Sequence, residues 1–408
     1  VARTQREDRA RVRALRTRRA AGIVLFLSFV DIFALLPTVA PHVGALGGGD
    51  AAIGLAVGAY SASNLPANVV GGILVDRWGR RRVLLLGLGL AALAVAAYVL
   101  AGTVAAFVGT RLLHGIAGGV LIPAVFAAAG DRADPGRTGR SFGRLGALIG
   151  AAAVVAPATA GVVRQAISTE AVFLGVAALL AVALLIAWWG VFDRVPPPAE
   201  VVASGGQQVE RAMRALLADS RLRRALAATA TLTVAVGVLA GFLPGLAEGL
   251  GADPSLVGLL FTAYAVVAAG IMLSPLSGRV DRGRALATAA VGLLVLAASL
   301  TLLAFAGALW VAVVASAVFG AGYGLVFPAV TGTTSLIASD ATRGRAFGLF
   351  NVAFSLGLAV GPPIVGWAAE ATPGLDVFVP SAVLCIAVAG WLLLTARHHP
   401  EQGTADRT

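Results

Sequence analysis

The sequence predicts an all-α membrane protein of twelve transmembrane helices, arranged as two six-helix bundles related by pseudo-symmetry. Three observations carry that expectation. Uncharged apolar stretches, each long enough to cross a hydrocarbon core of about 30 Å, alternate with short arginine-rich segments. Of 408 residues, 58% are hydrophobic and only 12% charged, with a mean hydropathy of +0.89, whereas a soluble enzyme carries about twice that charged fraction. The punctuation of the first half also recurs in the second at a shift of 205 residues.

In chain order, residues 1–19 form a basic tail with eight arginines, and residues 20–192 hold six spans, near 20–43, 51–75, 83–101, 104–129, 141–163 and 171–192. A linker at 193–221 contains Pro196-Pro197-Pro198, Ser204-Gly205-Gly206 and a segment with Val209, Met213, Leu216 and Leu217 on one side, the pattern of a helix lying in the membrane interface. Six more spans fill residues 222–396, near 222–248, 256–276, 286–306, 309–337, 346–369 and 377–396, and a tail at 397–408 carries His398 and His399 as solvated residues. Lysine is absent, and of the 31 arginines 29 fall in or beside the segments on one face, only Arg164 in a loop on the second face and only Arg111 deep within a span. This asymmetry predicts that both termini and the linker are cytoplasmic. The net charge of +11 therefore reports orientation and not a nucleic-acid partner. Cys385, alone in an apolar span, cannot form an intrachain disulfide, and no Cys/His cluster suggests a metal site.

The second and third spans meet at Gly72-x-x-x-Asp76-Arg77-x-Gly79-Arg80-Arg81, a tight polar turn. Gly72 leaves room for a neighbouring helix, Gly79 permits a reversal, and the arginines hold the turn at an anionic surface. At the shift of 205, Asp76-Arg77 falls on Asp281-Arg282, and Gly115, Gly119 and Pro123 fall on Gly320, Gly324 and Pro328. Gly139-Arg140-x-Phe142-Gly143 falls on Gly344-Arg345-x-Phe347-Gly348, and Pro157 on Pro362. One offset over three regions marks a duplicated six-helix unit, with a site expected between the halves.

These strings resemble the major facilitator superfamily, and in particular its twelve-helix drug:proton antiporter-like branch. The resemblance extends to Arg111-Leu112-Leu113-His114-Gly115-x-x-Gly118-Gly119 in the fourth span, and to Gly348-x8-Gly357-x3-Gly361-Pro362 in the eleventh. The eleventh-span spacing is one the family's exchangers carry in the fifth span, where here only Gly143, Pro157 and Gly161 remain, with Ala152 and Ala156 in place of glycines. The proline-glutamate-serine string of many sugar porters is missing; Arg194-Val195-Pro196-Pro197-Pro198 stands there. The resemblance implies alternating access in a bacterial cytoplasmic membrane. It also implies that Gly72, Asp76, Arg77, Gly79 and Arg80 form a conformational latch, with Asp281 and Arg282 as a weaker second copy, and that Gly115, Gly119, Gly143, Pro157, Gly348, Gly357, Gly361 and Pro362 pack helices. In the latch, Asp76 accepts hydrogen bonds from the start of another helix near Gly344 to Phe347.

The halves differ where chemistry is expected. At the shift of 205, Asp31 becomes Val236, Asn64 becomes Ala269, Asn68 becomes Leu273, Arg111 becomes Ser316 and His114 becomes Phe319. An isolated charge in the bilayer costs roughly 3 kcal/mol, so a mid-span acid needs a partner or a water-filled cavity. Depth along the helices lets Asp31 and Arg111 meet, and His114 shares the Arg111 face, so Asp31, Arg111 and His114 are the expected proton-coupling group. Asn64, Asn68, Phe242, Tyr264, Phe319, Tyr323, Phe327, Asn351 and Phe354 are the expected substrate cavity, the asparagines also serving as interhelical hydrogen bonders. Glu248 reads as solvated at the outer mouth. Together these imply a monomeric secondary transporter with no cofactor, driven by the proton gradient. Its partners are a hydrophobic or amphipathic small molecule, which it exports as in multidrug resistance, and membrane lipids. The alternatives are an uptake symporter or uniporter for a small polar metabolite, and a non-transporting membrane receptor.

Overall fold

In a computed structural model of the protein, residues 2–130, 138–191, 206–275, 284–339 and 342–398 are described, and among them there is no strand. The first half contains α1 (Ala2–Ala34), α2 (Val39–Ala45), α3 (Asp50–Trp78), α4 (Arg80–Ala96), a 3₁₀ turn (Ala97–Leu100), α5 (Val104–Gly130), α6 (Thr138–Ala166) and α7 (Thr169–Gly190). After α8 (Gly206–Ala218) in the linker, the second half contains α9 (Ser220–Gly249), α10 (Pro254–Leu273), α11 (Ala285–Ala304), α12 (Leu309–Ile337), α13 (Arg343–Ala371) and α14 (Val379–His398). Among the described residues nine helices are long and apolar enough to cross a membrane, ten with the bent pair α1 and α2 counted as one span. The second and twelfth predicted spans fall on α3, which Ser61, Ser63, Asn64 and Asn68 make more polar, and on α14, whose apolar run is Val379–Thr395.

Local chemistry sets the boundaries. Pro37 disfavours helix in the residue before it, so the first span breaks after Ala34, and α1 and α2 meet at 41°. The sequence had predicted one unbroken helix there. The Thr38 hydroxyl donates to the Leu35 carbonyl at 3.0 Å in the break. Asp219 caps α9, accepting from the Arg221 and Leu222 amides, and Asp253 caps α10, accepting from the Leu256 amide at 2.8 Å with Pro254 in the first turn. Gly79 alone separates α3 from α4 at φ +83°, which an L side chain resists. Exposed Trp78, Trp188, Trp189 and Trp391 ring one end of the bundle and Trp310 and Trp367 the other, as in membrane aromatic belts.

Packing repeats between the halves. In the first, α1 packs on α6 and α7, α3 on α5, and α4 on α5 and α7; in the second, α9 packs on α13 and α14, α10 on α12, and α11 on α12 and α14. Each half has its own apolar core, and a small third cluster ties Leu216 of α8 to Leu222, Ala338 and Ala346. The linker helix is thereby anchored to the second half. The halves meet through α3 with α13 and α6 with α10.

Among the described residues that meeting is closed at one end only. Beside α13, Gly58 is so tight that a β-carbon would lie 2.5 Å from the Ala359 carbonyl oxygen, and one at Gly54 would overlap the Pro362 carbonyl. Beside α10, a β-carbon at Gly161 would lie 2.5 Å from the Pro254 carbonyl oxygen, and Gly258 sits against the Pro157 carbonyl. The Thr262 hydroxyl donates to the Val154 carbonyl at 2.8 Å, Arg164 pairs with Glu248, and the Ala51 amide donates to Glu370 at 2.9 Å. Glu248 is therefore a cross-half ion-pair partner and not a merely solvated carboxylate. At the arginine-rich end, Gly72, Gly146, Gly150, Gly270, Gly344 and Gly348 meet nothing within 4 Å. The expectation that Gly72 and Gly348 pack neighbouring helices does not hold here, because these helix ends stand apart. The contacts also correct the repeat: Gly258, Tyr264 and Ala268 occupy the places of Gly54, Tyr60 and Asn64, so α3 and α10 align at one residue less than 205.

Candidate functional site

Asp31 on α1, Tyr98 in the 3₁₀ turn after α4, and Arg111 and His114 on α5 converge inside the first half. Relative exposure is 3% for Asp31, 0% for Tyr98 and His114, and 8% for Arg111, which makes any polar atom left without a partner within the protein costly. Asp31 and Arg111 do not touch directly. Arg111 Nη1 donates to the Tyr98 hydroxyl at 3.1 Å, that hydroxyl lies 2.8 Å from His114 Nδ1, and His114 Nε2 lies 2.9 Å from Asp31 Oδ2. Arg111 Nε also donates to the Ala56 carbonyl at 3.0 Å, and its guanidinium stands 5.1 Å from the Tyr60 ring centroid. The Tyr60 ring meets His114 edge to face at 5.0 Å. Asp31 Oδ1 is buried without a partner.

The glycines of α5 allow this approach. A β-carbon at Gly115 would overlap the Tyr60 carbonyl and Ser63, and one at Gly119 would lie 2.6 Å from the Asn64 carbonyl oxygen. The Ser63 hydroxyl donates to the Leu112 carbonyl at 2.7 Å and Asn64 Nδ2 to the Gly115 carbonyl at 3.2 Å, while Asn68 Nδ2 donates to Asn64 Oδ1 at 2.6 Å. The two asparagine amides thus join α3 to α5 and order each other.

In the second half the predicted aromatics form a continuous series. Tyr264 meets Phe319 at 5.4 Å and Tyr323 at 5.5 Å, Tyr323 stacks on Phe327 at 5.5 Å, and Phe327, Phe350 and Phe354 follow. Tyr264, Tyr323, Phe327 and Phe354 are partly exposed and Asn351 is exposed. Phe319 and Phe242 are instead buried, at 0% and 5%, inside the second core. They back the surface and do not line an open path, although Phe242 borders a cavity of about 540 Å³ at the sealed end with Asp50, Glu248 and Asp376. Burial, and then Glu370 and Asp376, push the Asp50 carboxyl above its ordinary range.

Of the latch residues, Asp76 is exposed and makes no hydrogen bond or ion pair among the described residues, and Asp281 and Arg282 lie outside them. The packing positions Gly357, Gly361 and Pro362 do sit in tight contacts, against Ala230, Val234 and Gly237. Sequence reasoning missed Tyr98 and His42. The chain has four tyrosines; Tyr60 and Tyr98 touch His114, and Tyr264 and Tyr323 touch each other, so this rare polar aromatic was the available signal. His42 lies between the Phe107 and Phe173 rings at 4.8 and 5.1 Å, with Nε2 buried and unpartnered.

A duplicated helical membrane bundle, closed between its halves at one end and holding a buried acid and base in one half, is the architecture of a solute transporter and not of an enzyme. The sequence profile of the Major Facilitator Superfamily matches residues 21–238 and 225–408, and the chain belongs to that family. It is 23% identical over 343 residues to the quinolone resistance protein NorA of Staphylococcus aureus, across 84% of this chain and 87% of that one. The 3-(3-hydroxy-phenyl)propionate transporter of Escherichia coli is 30% identical over 223 residues, 51% of each chain. Among solved structures, the nucleoside transporter NupG shares the fold at TM-score 0.73 and 14% identity, over 94% of this chain and 98% of that one. A bacterial homolog of the human lysosomal transporter Spinster does so at TM-score 0.74 and 15% identity, over 94% and 96%.

Proposed function

We propose that this transporter exports a hydrophobic or amphipathic small molecule in exchange for protons, by alternating access across a bacterial cytoplasmic membrane. The observation that carries the reading is Asp31, a mid-span carboxylate buried with one hydrogen-bond partner and one open oxygen. A carboxylate so placed is costly to keep charged, and adding a proton changes the local charge by one. With the arginine-rich end cytoplasmic, the conformation described is inward-open, and Asp31 releases its proton on that side. The aromatic series of Tyr264, Tyr323, Phe327 and Phe354 supplies flat apolar faces, and the two tyrosine hydroxyls take part in no hydrogen bond with described residues, so they are available to a polar group on the cargo.

The test is transport in everted vesicles with and without an imposed pH gradient, across a panel holding a quinolone, an arylpropionate and a nucleoside. The expected result is gradient-dependent accumulation of an aromatic amphiphile, abolished by Asp31→Asn while downhill exchange persists. Gradient-independent accumulation, or an unchanged proton stoichiometry in Asp31→Asn, would overturn the reading. A symporter for an aromatic acid is the competing reading. The Ala152 and Ala156 replacements in the exchanger spacing and the arylpropionate-transporting relative favour it, and it predicts the opposite sign of proton movement in the same vesicles.

A further inference from the structure

We infer that Tyr98 is a positioning residue for proton coupling: it holds His114 as the neutral Nε2–H form and so leaves Asp31 Oδ1 as the atom that takes the proton. This rests on the proton-coupled reading above. The direction of each hydrogen bond follows from chemistry, starting at the arginine. A guanidinium only donates, so the Tyr98 oxygen accepts from Arg111. Tyr98 is fully buried, and besides Arg111 its hydroxyl has His114 Nδ1 as its one hydrogen-bond neighbour. Its single O–H therefore points to Nδ1, because any other direction leaves a buried donor unmade. With Nδ1 accepting, the neutral ring carries its hydrogen on Nε2 and donates it to Asp31 Oδ2. The four side chains make one polarised line, from the arginine cation to the aspartate anion, and every donor in it meets one acceptor.

A proton arriving at this unit then has two destinations. Placing it on His114 Nδ1 turns that atom into a donor and displaces the Tyr98 hydroxyl from its acceptor, inside a site that offers no other. Placing it on Asp31 Oδ1 disturbs none of the three hydrogen bonds, since that oxygen is the unpartnered one; the new O–H meets no acceptor among the described residues, but the step replaces a buried anion by a neutral group. In the balanced step the proton binds Oδ1, the carboxylate becomes a neutral acid, and Arg111 is left as the one formal charge of the four. The groups facing Asp31 are all within this account: His114 and Arg111 from α5, Tyr60 from α3 and Tyr98 from the 3₁₀ turn. The helices α6 and α7 carry Arg140, Arg144, Arg164 and Glu170 only near their ends, and His42 of α2 lies among Phe107 and Phe173.

Two spectroscopic readouts test the assignment in full-length protein in lipid, without any cargo. Nitrogen-15 magnetic resonance of histidine-labelled protein should show His114, identified by its loss in His114→Gln, as the Nε2–H form throughout acidification. Infrared difference spectra on acidification should show a protonated carboxyl band that disappears in Asp31→Asn and persists in His114→Gln. In Tyr98→Phe, which frees Nδ1 while keeping the ring, a His114 imidazolium signal should appear and the carboxyl band should fall by at least half. Tyr98→Phe with His114→Gln should restore the band to the His114→Gln amplitude. A His114 imidazolium in the wild type, or its Nδ1–H form, overturns the inference even if Tyr98→Phe does not fold, and so does a Tyr98→Phe spectrum identical to wild type. If these spectra are as expected but cargo releases no protons, the transport reading fails and the assignment stands.

Discussion

Gly161 gives a direct handle on the balance between the two access states. In the conformation described, a β-carbon there would lie 2.5 Å from the Pro254 carbonyl oxygen and 3.1 Å from the Gly258 α-carbon, and both neighbours are backbone. Ordinary contact with a carbonyl oxygen needs more than 3 Å, so Gly161→Ala forces α6 and α10 apart at the sealed end by several tenths of an ångström. Overpacking of this kind costs about 1–3 kcal/mol. When the sealed end opens, the overlap vanishes, so the cost falls on one state alone. A differential of about 2 kcal/mol changes the ratio of states about 30-fold. The assay is pulsed dipolar spectroscopy across the seal, with spin labels at Ile167→Cys and Gly249→Cys in a Cys385→Ser background. The distance distribution should gain a long component in Gly161→Ala but not in Gly150→Ala, a control on the same helix where nothing lies within 4 Å. Identical distributions in wild type and Gly161→Ala would refute the steric argument and with it the identification of α6 and α10 as a moving contact.

The other predictions concern charge. Asp76 is exposed and unpaired here, so Asp76→Asn should leave this conformation intact; if Asp76 caps α13 in the opposite conformation, the loss of its charge should weaken that state and raise the sealed-end population about 2- to 5-fold, for a charge–dipole interaction of about 0.3–1 kcal/mol; the same spin labels read it. At the sealed end Asp50 has a raised carboxyl, so the folded, sealed arrangement favours its neutral form; sealing should strengthen as pH falls through that raised value and weaken above it. Asp50→Asn should remove this dependence, which distance distributions recorded at several pH values check. For Asp219, burial pushes the carboxyl up, but hydrogen bonds from the Arg221 side chain and backbone, the Arg221 charge and the Leu222 amide outweigh it and hold the value below the ordinary range. Its contribution is therefore present at neutral pH and lost as pH falls from the ordinary carboxylate range toward the lowered value. Asp219→Ala should cost about 1 kcal/mol at neutral pH and almost nothing in strong acid, by thermal unfolding in detergent.

Much of the scaffold was legible because a membrane leaves few options. Alternating apolar runs, arginine turns and the glycine punctuation at Gly115, Gly119, Gly320 and Gly324 define helices, an end preference and a duplicated packing. What failed did so for local or state-dependent reasons. The kink at Pro37 splits the first span, and one proline inside an apolar run does not announce whether it bends or ends a helix. Gly72 and Gly348 carry the same signal as Gly54 and Gly366, yet only the latter pair is in contact in the conformation described, and the glycine pattern does not tell which end of the bundle closes. The meeting of Asp31 and Arg111 was foreseen as a direct pair from depth alone. Depth gives height along the membrane but not azimuth around the bundle, and the gap is bridged by His114 together with Tyr98, a residue in the turn beyond the far end of α4.

The one-residue correction to the repeat shows what the duplication has kept and what it has changed. With α3 aligned to α10 by contact, Tyr60 corresponds to Tyr264, and His114 to Phe319 at the original shift. The edge-to-face pair of Tyr60 with His114, at 5.0 Å, is therefore matched by Tyr264 with Phe319 at 5.4 Å. The same tyrosine-on-ring joint between two helices survives in both halves, each built against a glycine, Gly115 or Gly320. Around it, Arg111 has become Ser316, Tyr98 has become Leu303 and Asp31 has become Val236. Each of those three replacements removes one link of the hydrogen-bonded line, and a partial line would strand a buried donor or charge. With all of them replaced and Phe319 at the centre, the surroundings are apolar except for the Ser316 hydroxyl, which is buried without a partner. The joint is thus what the two halves share, and the differences around it leave a buried carboxylate in a hydrogen-bonded line in one half and a series of aromatic rings in the other.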